Sequence, residues 1–506
     1  MKIPPLILLL VVTLTVVNGS KILGIFTSPG YSQYILGERL LELLAKRGHH
    51  VTMISEFEPK EPIQNYVTLK LDKSGSFHDT FDLTEWQTKN NYQSTIEFLE
   101  LCKYYTEIPL KQSQIQEFIR SNETFDLVIV ENFCNEAHVG FAGHFGAPVV
   151  IFSSQPMHEW SSHFVGNVNL PSISTNSLSS LTNRMGFYER LQSFCLNLFY
   201  SIYKELYFYP EQQELMDKYF PNKMDLKNLT QNVEMLLVFG HPLTTEPSLL
   251  TSAVVEVGGF HIKPRKLPAE IQTFLNGAKQ GAILVSLGSN VPCQLLTKEQ
   301  LNAFLNAFRK LSHSILWKCD MDVPNKPSNV LFSKWLPQTD VLAHPNVIAF
   351  VTHNGLLSTT EAMYYGVPMI SIPVFGDQMK NAARAVKLGV AQKLNIIDLK
   401  EEDLLETMKN VAQNPQFRNK MKILSQMFRD QPSSPADRAL NSIEYVLKYR
   451  PGKYLRSPAL DLFWYELYSV DVVLFILGLF VTINLLLLFV IRKLLYAKRI
   501  SKRKTA

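Results

Sequence analysis

Residues 335–378 read WLPQTDVLAHPNVIAFVTHNGLLSTTEAMYYGVPMISIPVFGDQ. Val347 to Val351 is a short apolar run with β-branched and aromatic residues, the pattern of a buried strand. It leads into Thr352-His353-Asn354-Gly355 and then into a helical pattern opening near Leu357-Ser358. A His, a Gly and a Ser thus fall at a helix N-terminus beyond the carboxyl end of a strand. Unpaired N–H groups and the helix dipole favour anions there, and glycine permits close approach, so the position suits a diphosphate. Glu361 follows Ser358 by three residues on the same helix side and can accept hydrogen bonds from sugar hydroxyls. Trp335, on a loop before Pro337, offers an indole face to a base. A further strand pattern, Pro368 to Pro373, ends close to Asp377-Gln378, an acceptor beside a donor at the same edge. Taken singly, each has a plainer reading: His353 as a loop residue, Trp335 as core, Glu361 as a dipole partner.

Outward from this stretch the chain repeats one pattern. Lys21 to Thr27 is a strand, Leu36, Leu40, Leu43 and Leu44 mark a helix face, Gly48 ends the helix, and Val51 to Ser55 is a second strand: a βαβ unit. Strands recur at Phe125 to Val130 and Pro148 to Phe152 around a helix over 136–145, then at Val233 to Phe239 and Val254 to Val257. An aromatic-rich helical stretch occupies 183–219. A Pro-rich basic connector, His261 to Pro268, marks a boundary. A second series follows, with strands at Gly281 to Leu287, Ser314 to Cys319 and Val330 to Ser333, and late helices over 378–388, 402–412 and 436–449. The expectation is α/β: two Rossmann-like domains, 20–260 and 269–450, facing a cleft.

With 46% hydrophobic and 19% charged residues among 506, the chain is neither disordered nor fibrous. The net charge of +5 belongs to the tail: residues 492–506 hold seven Lys or Arg and no acid, and without them the remainder stands at −2. A nucleic-acid partner is therefore not expected. Residues 1–19 read as a cleaved secretory signal. Residues 472–491 carry no charge and suffice to span a bilayer core of about 30 Å. The basic flank predicts a cytosolic tail and a luminal body. Lys502 and Lys504 stand fifth and third from the end, a dilysine retrieval pattern, or else a generic positive-inside cluster. The sequons at Asn122 and Asn228 fit a luminal chain. Five Cys without CxxC spacing argue against zinc, and the odd count leaves at least one free thiol or an intermolecular link. No GxGxxG, GxxxxGK[ST] or GxSxG motif occurs. Asp320-Met321-Asp322 is a D-x-D, read here as a solvated turn.

In the order and spacing of its motifs the chain resembles the UDP-glycosyltransferases, including the animal UDP-glucuronosyltransferases and their insect relatives. The resemblance runs through TSPGYSQYILGERLLELLAKRGHHVTMIS (27–55), FDLVIVENF (125–133), VGGFHIKPRKLP (257–268), ILVSLGSN (283–290), the long stretch quoted first, FRDQPSSPADRAL (428–440) and the membrane-plus-dilysine end. It implies the GT-B fold, with an acceptor pocket in the first domain and a nucleotide-sugar site in the second. Carried over, Trp335 stacks on uracil beside Gln338, and Glu361 holds the ribose. His353, Gly355, Ser358 and Ser289 contact the diphosphate, and Asp377 and Gln378 read the sugar. It also implies no cofactor and no metal, a UDP-sugar co-substrate, a small lipophilic acceptor, and residence in the endoplasmic reticulum membrane as a single-pass protein. Oligomeric state stays open, a homo-oligomer included. Two positions depart from the family pattern. Asn354 stands where a small residue is usual, which places a side chain beside the diphosphate loop. The family's catalytic His, after Gly-Tyr-Ser, is Gln33, and its orienting Asp is Glu131. Two functions follow: inverting transfer of glucose or glucuronic acid from a UDP-sugar, or a catalytically impaired member that binds UDP-sugar or lipophile.

Overall fold

The computed structural model describes residues 19–75, 89–289, 291–321, 323 and 326–504. The first 18 residues of the signal-type segment and Asp322 of the D-x-D fall outside that set. So does the end of the tail, with side chains described only to Ser501.

The central apolar runs form strands in which nearly every residue is buried, as an all-parallel sheet covered on both faces demands, while the edge strands are half-buried. The first sheet holds β1 (Lys21–Ile25), β2 (His50–Ser55), β3 (Tyr66–Lys70), β4 (Leu127–Glu131), β5 (Val149–Ser153), β6 (Met235–Val238) and β7 (Val254–Glu256), in the order β3-β2-β1-β4-β5-β6-β7. The second holds β8 (Ala282–Ser286), β9 (Ser314–Lys318), β10 (Val330–Ser333), β11 (Val347–Thr352), β12 (Met369–Ser371) and β13 (Ala391–Lys393), in the order β10-β9-β8-β11-β12-β13. All pairings are parallel. Strand order reverses between β1 and β4 in one sheet and between β8 and β11 in the other. Those switch points open crevices at the carboxyl ends of the strands, where ligands of α/β sheets bind.

Helix α1 (Tyr31–Lys46) follows β1 and buries Leu36, Leu40, Leu41 and Leu44. Helix α2 (Asn91–Leu110) starts at Asn90, whose Oδ1 accepts from the N–H groups of Tyr92 and Gln93. The aromatic-rich stretch is helix α3 (Phe187–Tyr203), a π-helical turn over Lys204–Phe208 and a further helix, Tyr209–Tyr219. In the second half, helix α4 (Leu356–Tyr365) follows β11 and helix α5 (Gln378–Lys387) follows β12. Helix α6 (Pro435–Tyr449) belongs by sequence to 269–450, yet it lies on the first sheet's side. Its Leu440, Ile443 and Val446 share a core with Leu40 and Leu44 of α1, and Arg47 pairs with Glu444 at 3.2 Å.

Cys293 and Cys319 form a disulfide; Cys102, Cys134 and Cys195 are free thiols. Residues 457–506 are a separate compact unit. Its helix α7 (Val470–Lys504) is the one helix among the described residues long and apolar enough to cross a membrane.

Candidate functional site: a cleft between two switch points

A cavity of about 1430 Å³ lies between the carboxyl edges of the two sheets. Gln33 lines it, and so do Ser289, Trp335, Gln338, His353, Gly355, Ser358, Glu361, Asp377 and Gln378; Glu131 does not.

The second-sheet wall is built on the β8 and β11 exits. The ring of His353 is wedged between two glycines. A Cβ on Gly288 would come within 2.6 Å of the ring, and one on Gly355 within 2.5 Å of Nε2. Gly288 also sits at φ +86°, a left-handed conformation that glycine adopts without penalty. Burial, reinforced by the Lys318 ammonium, drives His353 down to about 3, so the imidazole is neutral at physiological pH. It meets a ligand as a neutral hydrogen-bonding group. Gly355 has no side chain to cap α4, and the Asp377 carboxylate engages the Leu356 N–H, so Leu357 and Ser358 carry the first-turn N–H groups that no side chain caps.

Asn354 corrects an expectation. Its backbone is left-handed at φ 60°, which asparagine tolerates better than most residues. That conformation turns the side chain away from the cleft, into the interior, with Nδ2 3.6 Å from Met369 Sδ. The Asn354 carbonyl accepts from Asn381 Nδ2 at 3.0 Å. The cleft face of the His353–Gly355 loop is therefore not crowded by that side chain.

Glu361 is buried and already engaged. Its Oε2 accepts from Gln338 Nε2 at 2.7 Å, and its Oε1 accepts from Thr339 Oγ1 at 2.7 Å and lies 3.3 Å from His261 Nε2. Gln338 Nε2 also reaches Ser358 Oγ at 3.0 Å. Trp335 is 45% exposed, with Tyr31 edge-on at 5.0 Å and Lys318 Nζ 4.7 Å from its ring centroid. Asp377 accepts from Asn381 Nδ2 at 2.7 Å, and burial raises its carboxyl to about 6. Gln378 Oε1 accepts from the N–H groups of Val374 and Phe375, which leaves the NH₂ end of that amide for a ligand. Asp320 is ion-paired with Lys334 on the surface.

The first-sheet wall carries an aromatic patch, with Phe98 stacked on Trp160 at 4.3 Å and Phe133 edge-on to Phe98, beside charged residues that include Glu38, Arg39 and Lys60. Gln33 stands on the first turn of α1 and folds over Gly30; its Oε1 accepts from Ser32 Oγ at 3.0 Å. Glu131 ends β4, fully buried; among the described residues its carboxyl makes no hydrogen bond of ordinary geometry, and Ser154 and the Ser28 backbone are only weak polar neighbours. Burial raises it to about 8, against the weaker pull of Ser154 and the Ser28 backbone, so it is largely protonated at neutral pH. Gln33 and Glu131 are thus neighbours of one switch point without a bond between them. Asn122 and Asn228 are both exposed, Asn228 within a short helix, Leu226–Gln231.

The sequence reading does not assign His261, Tyr31 and Lys318 among other residues of the cleft. Lys318 carried a usable signal, a lone charge at the carboxyl end of an apolar strand. His261 reaches the site only because the connector crosses beneath Glu361, which no spacing reveals.

α5 ties the two walls together. Lys380 Nζ donates to the Thr175 carbonyl at 3.0 Å, Arg384 to that of Pro242 at 3.1 Å, and Lys387 to Thr182 Oγ1 at 3.0 Å.

UDP-glucosyltransferase 2 of Dactylopius coccus is 32% identical over 491 residues, covering 95% of this chain and 94% of that protein. Human UDP-glucuronosyltransferase 2B7 is 28% identical over 476 residues, covering 88% of each. Among solved structures, a UDP-glucosyltransferase from Polygonum tinctorium aligns with a TM-score of 0.56 at 16% identity, over 85% of this chain and all but 1% of its own (99%). The glycosyltransferase VinC aligns at 0.57 with 15% identity, over 85% of this chain and 99% of VinC. These two share the GT-B fold. Residues 30–505 match the family model described as UDP-glucoronosyl and UDP-glucosyl transferase. With two parallel sheets meeting at their switch points and this match along nearly all its length, the chain belongs to that family of UDP-sugar-dependent glycosyltransferases.

Proposed function

We propose that the chain transfers glucose or glucuronic acid from a UDP-sugar to a small lipophilic acceptor with inversion at the anomeric carbon. The observation that carries this reading is the convergence of nine polar, aromatic and glycine positions on one sheet edge, opposite the Phe98–Phe133–Trp160 aromatic patch. Trp335 would stack on uracil, and Gln338 would lie beside it. Glu361 would take the ribose hydroxyls by exchanging its bonds from Gln338, Thr339 and His261. The diphosphate would sit against Ser289, His353, Gly355 and Ser358, where the open N-terminus of α4 and the Lys318 ammonium meet its charge. Asp377 and Gln378 would hold the sugar. The acceptor, seated against Phe98, Phe133 and Trp160, attacks the anomeric carbon; the carbon–oxygen bond to UDP breaks as the new bond forms. Developing charge on the leaving diphosphate is stabilised by donors already in place.

At the acceptor end Gln33 can hold a hydroxyl by hydrogen bonding, but its amide takes no proton near neutral pH. A neutral amine attacks without prior deprotonation, so amines are the better acceptors on this reading. Gln33, with Glu131 buried and protonated, also favours a second reading: a member that binds UDP-sugar or lipophile with little turnover. Membranes bearing the chain, supplied with UDP-glucose or UDP-glucuronate and a panel of phenols and amines, separate the two. Glycosylated amine exceeding glycosylated phenol supports transfer. UDP binding with no conjugate from either panel supports the second reading.

The body is placed in the lumen of the endoplasmic reticulum, held by α7, with the basic tail in the cytosol and glycans on Asn122 and Asn228. Protease added to sealed microsomes would then clip a C-terminal epitope and spare the rest. Protection of the epitope would reverse the orientation.

A further inference from the structure

The Cys293–Cys319 disulfide serves none of the roles above. It joins the short helical turn Cys293–Leu295, downstream of β8, to the residue that follows β9. Both cysteines are 4% exposed, within the core that packs on β8 and β9. What it links are two arms of the cleft. Gly288 and Ser289 lie on the arm leading to Cys293, and Lys318 immediately precedes Cys319. The arms touch elsewhere. Lys318 Nζ lies 3.4 Å from the Gly288 carbonyl, and Gln294 Nε2 donates to the Asp320 carbonyl at 2.7 Å. Gly288 in turn borders the His353 ring with no room for a Cβ between them. An arm held only at its strand end samples many positions, and binding then bears the entropy of ordering it. A covalent tie removes that freedom in advance.

We propose that the Cys293–Cys319 disulfide is a positioning element of the donor subsite. It holds the Gly288–Ser289 turn and Lys318 in register against His353, so opening it weakens nucleotide binding and spares the acceptor side. The acceptor wall, Phe98, Phe133 and Trp160, comes from the other sheet and is not tied to either arm. The inference rests on the reading of the second-sheet edge as the UDP-sugar site.

The test uses the full chain in detergent, titrated with UDP by calorimetry in three forms: as isolated, after dithiothreitol, and as Cys293→Ser/Cys319→Ser. The dithiol delivers two electrons and two protons to the S–S bond, leaving two protein thiols and its own cyclic disulfide. Cys102, Cys134 and Cys195 are already thiols and are unchanged by it. Alkylation and mass measurement report the opening. The Kd for UDP is expected to rise about ten-fold in both opened forms, and to return on reoxidation of the wild type. The KM for UDP-sugar should follow it, while kcat and the acceptor KM hold within about two-fold. Equal UDP affinity in all three forms overturns the proposal. A parallel rise of donor and acceptor KM overturns it too, because that pattern marks general loosening. Absence of UDP binding by the disulfide-bonded protein overturns instead the donor-site reading beneath it.

Discussion

Gln33→His tests the acceptor chemistry, and the structure limits its size. A well-placed general base contributes about 10²–10⁴-fold, equivalent to about 3–5 kcal/mol. An imidazole near its ordinary value of about 6.5 suits that role at neutral pH. Its partner would be Glu131, which helps only as a carboxylate, and burial holds that carboxyl at about 8. At pH 7 roughly nine-tenths of it is protonated, and ionising it takes about 1.4 kcal/mol, a factor of about ten. The expected gain in phenol transfer is therefore about 10–10³-fold, at the lower end when the longer Glu131 holds the ring off line. Amine transfer should change far less. The gain should also grow from pH 7 to pH 9, as Glu131 ionises, and vanish in Gln33→His/Glu131→Gln. Initial rates with a matched phenol and aniline, for both proteins across that range, supply every number. Equal changes for both acceptors, or no change for either, would show that residue 33 does not face the reacting hydroxyl.

Other expectations concern the walls of the cleft. Gly355→Ala should displace His353 without left-handed strain, because Gly355 has φ −53°, whereas Gly288→Ala adds a left-handed alanine of about 1–2 kcal/mol. Both should weaken UDP, and Gly288→Ala should lower the melting temperature further than Gly355→Ala, by about 1–2 °C for a chain of this size; unchanged UDP affinity in both would remove the clamp from the site. His261→Ala should free one bond on Glu361 and alter UDP affinity with little effect on acceptor KM; an acceptor-only effect would contradict the contact seen here. Glu131 is raised in the folded state above its unfolded value of about 4.3, so its contribution to stability is full below pH 4 and is lost as pH rises through about 8. Glu131→Gln should therefore flatten the fall in stability between pH 5 and pH 9 by on the order of 3 kcal/mol, Asp377 leaving a smaller slope in the same direction; superimposable profiles in thermal melts would contradict the buried, unpaired carboxyl.

Most of the strands legible in the sequence were those buried on both faces, since continuous apolar runs such as LVIVE and AILVS admit little else, and the half-buried edge strands β7 and β10 were legible beside them. The edge strands β3 and β13 escaped. YVTLK is half exposed, and AQK is three residues long with one buried, so neither carries a periodic signal. Helix α2 escaped because its hydrophobic positions spread round the helix, although its Asn90 cap and Gln93 form a capping box that was there to be read. The site was legible where order along the chain places residues at one strand exit, as with His353, Gly355 and Ser358. It was not legible where tertiary geometry decides. Charge and spacing cannot reveal that Asn354 turns inward, that Glu131 is neutral, or that α6 returns to the first sheet. The disulfide was equally hidden, since the ten possible pairs among five cysteines stay open until β8 and β9 are known to be neighbours.

Whether the edge of the second sheet binds the nucleotide is decided by calorimetric titration of the full chain with UDP. Wild type should bind one UDP. His353→Ala should bind about 2–10-fold more weakly, because the buried ring is neutral and a neutral hydrogen bond contributes about 0.5–1.5 kcal/mol. UDP binding that is undiminished in a folded His353→Ala protein, or no binding by the wild type, would contradict the account.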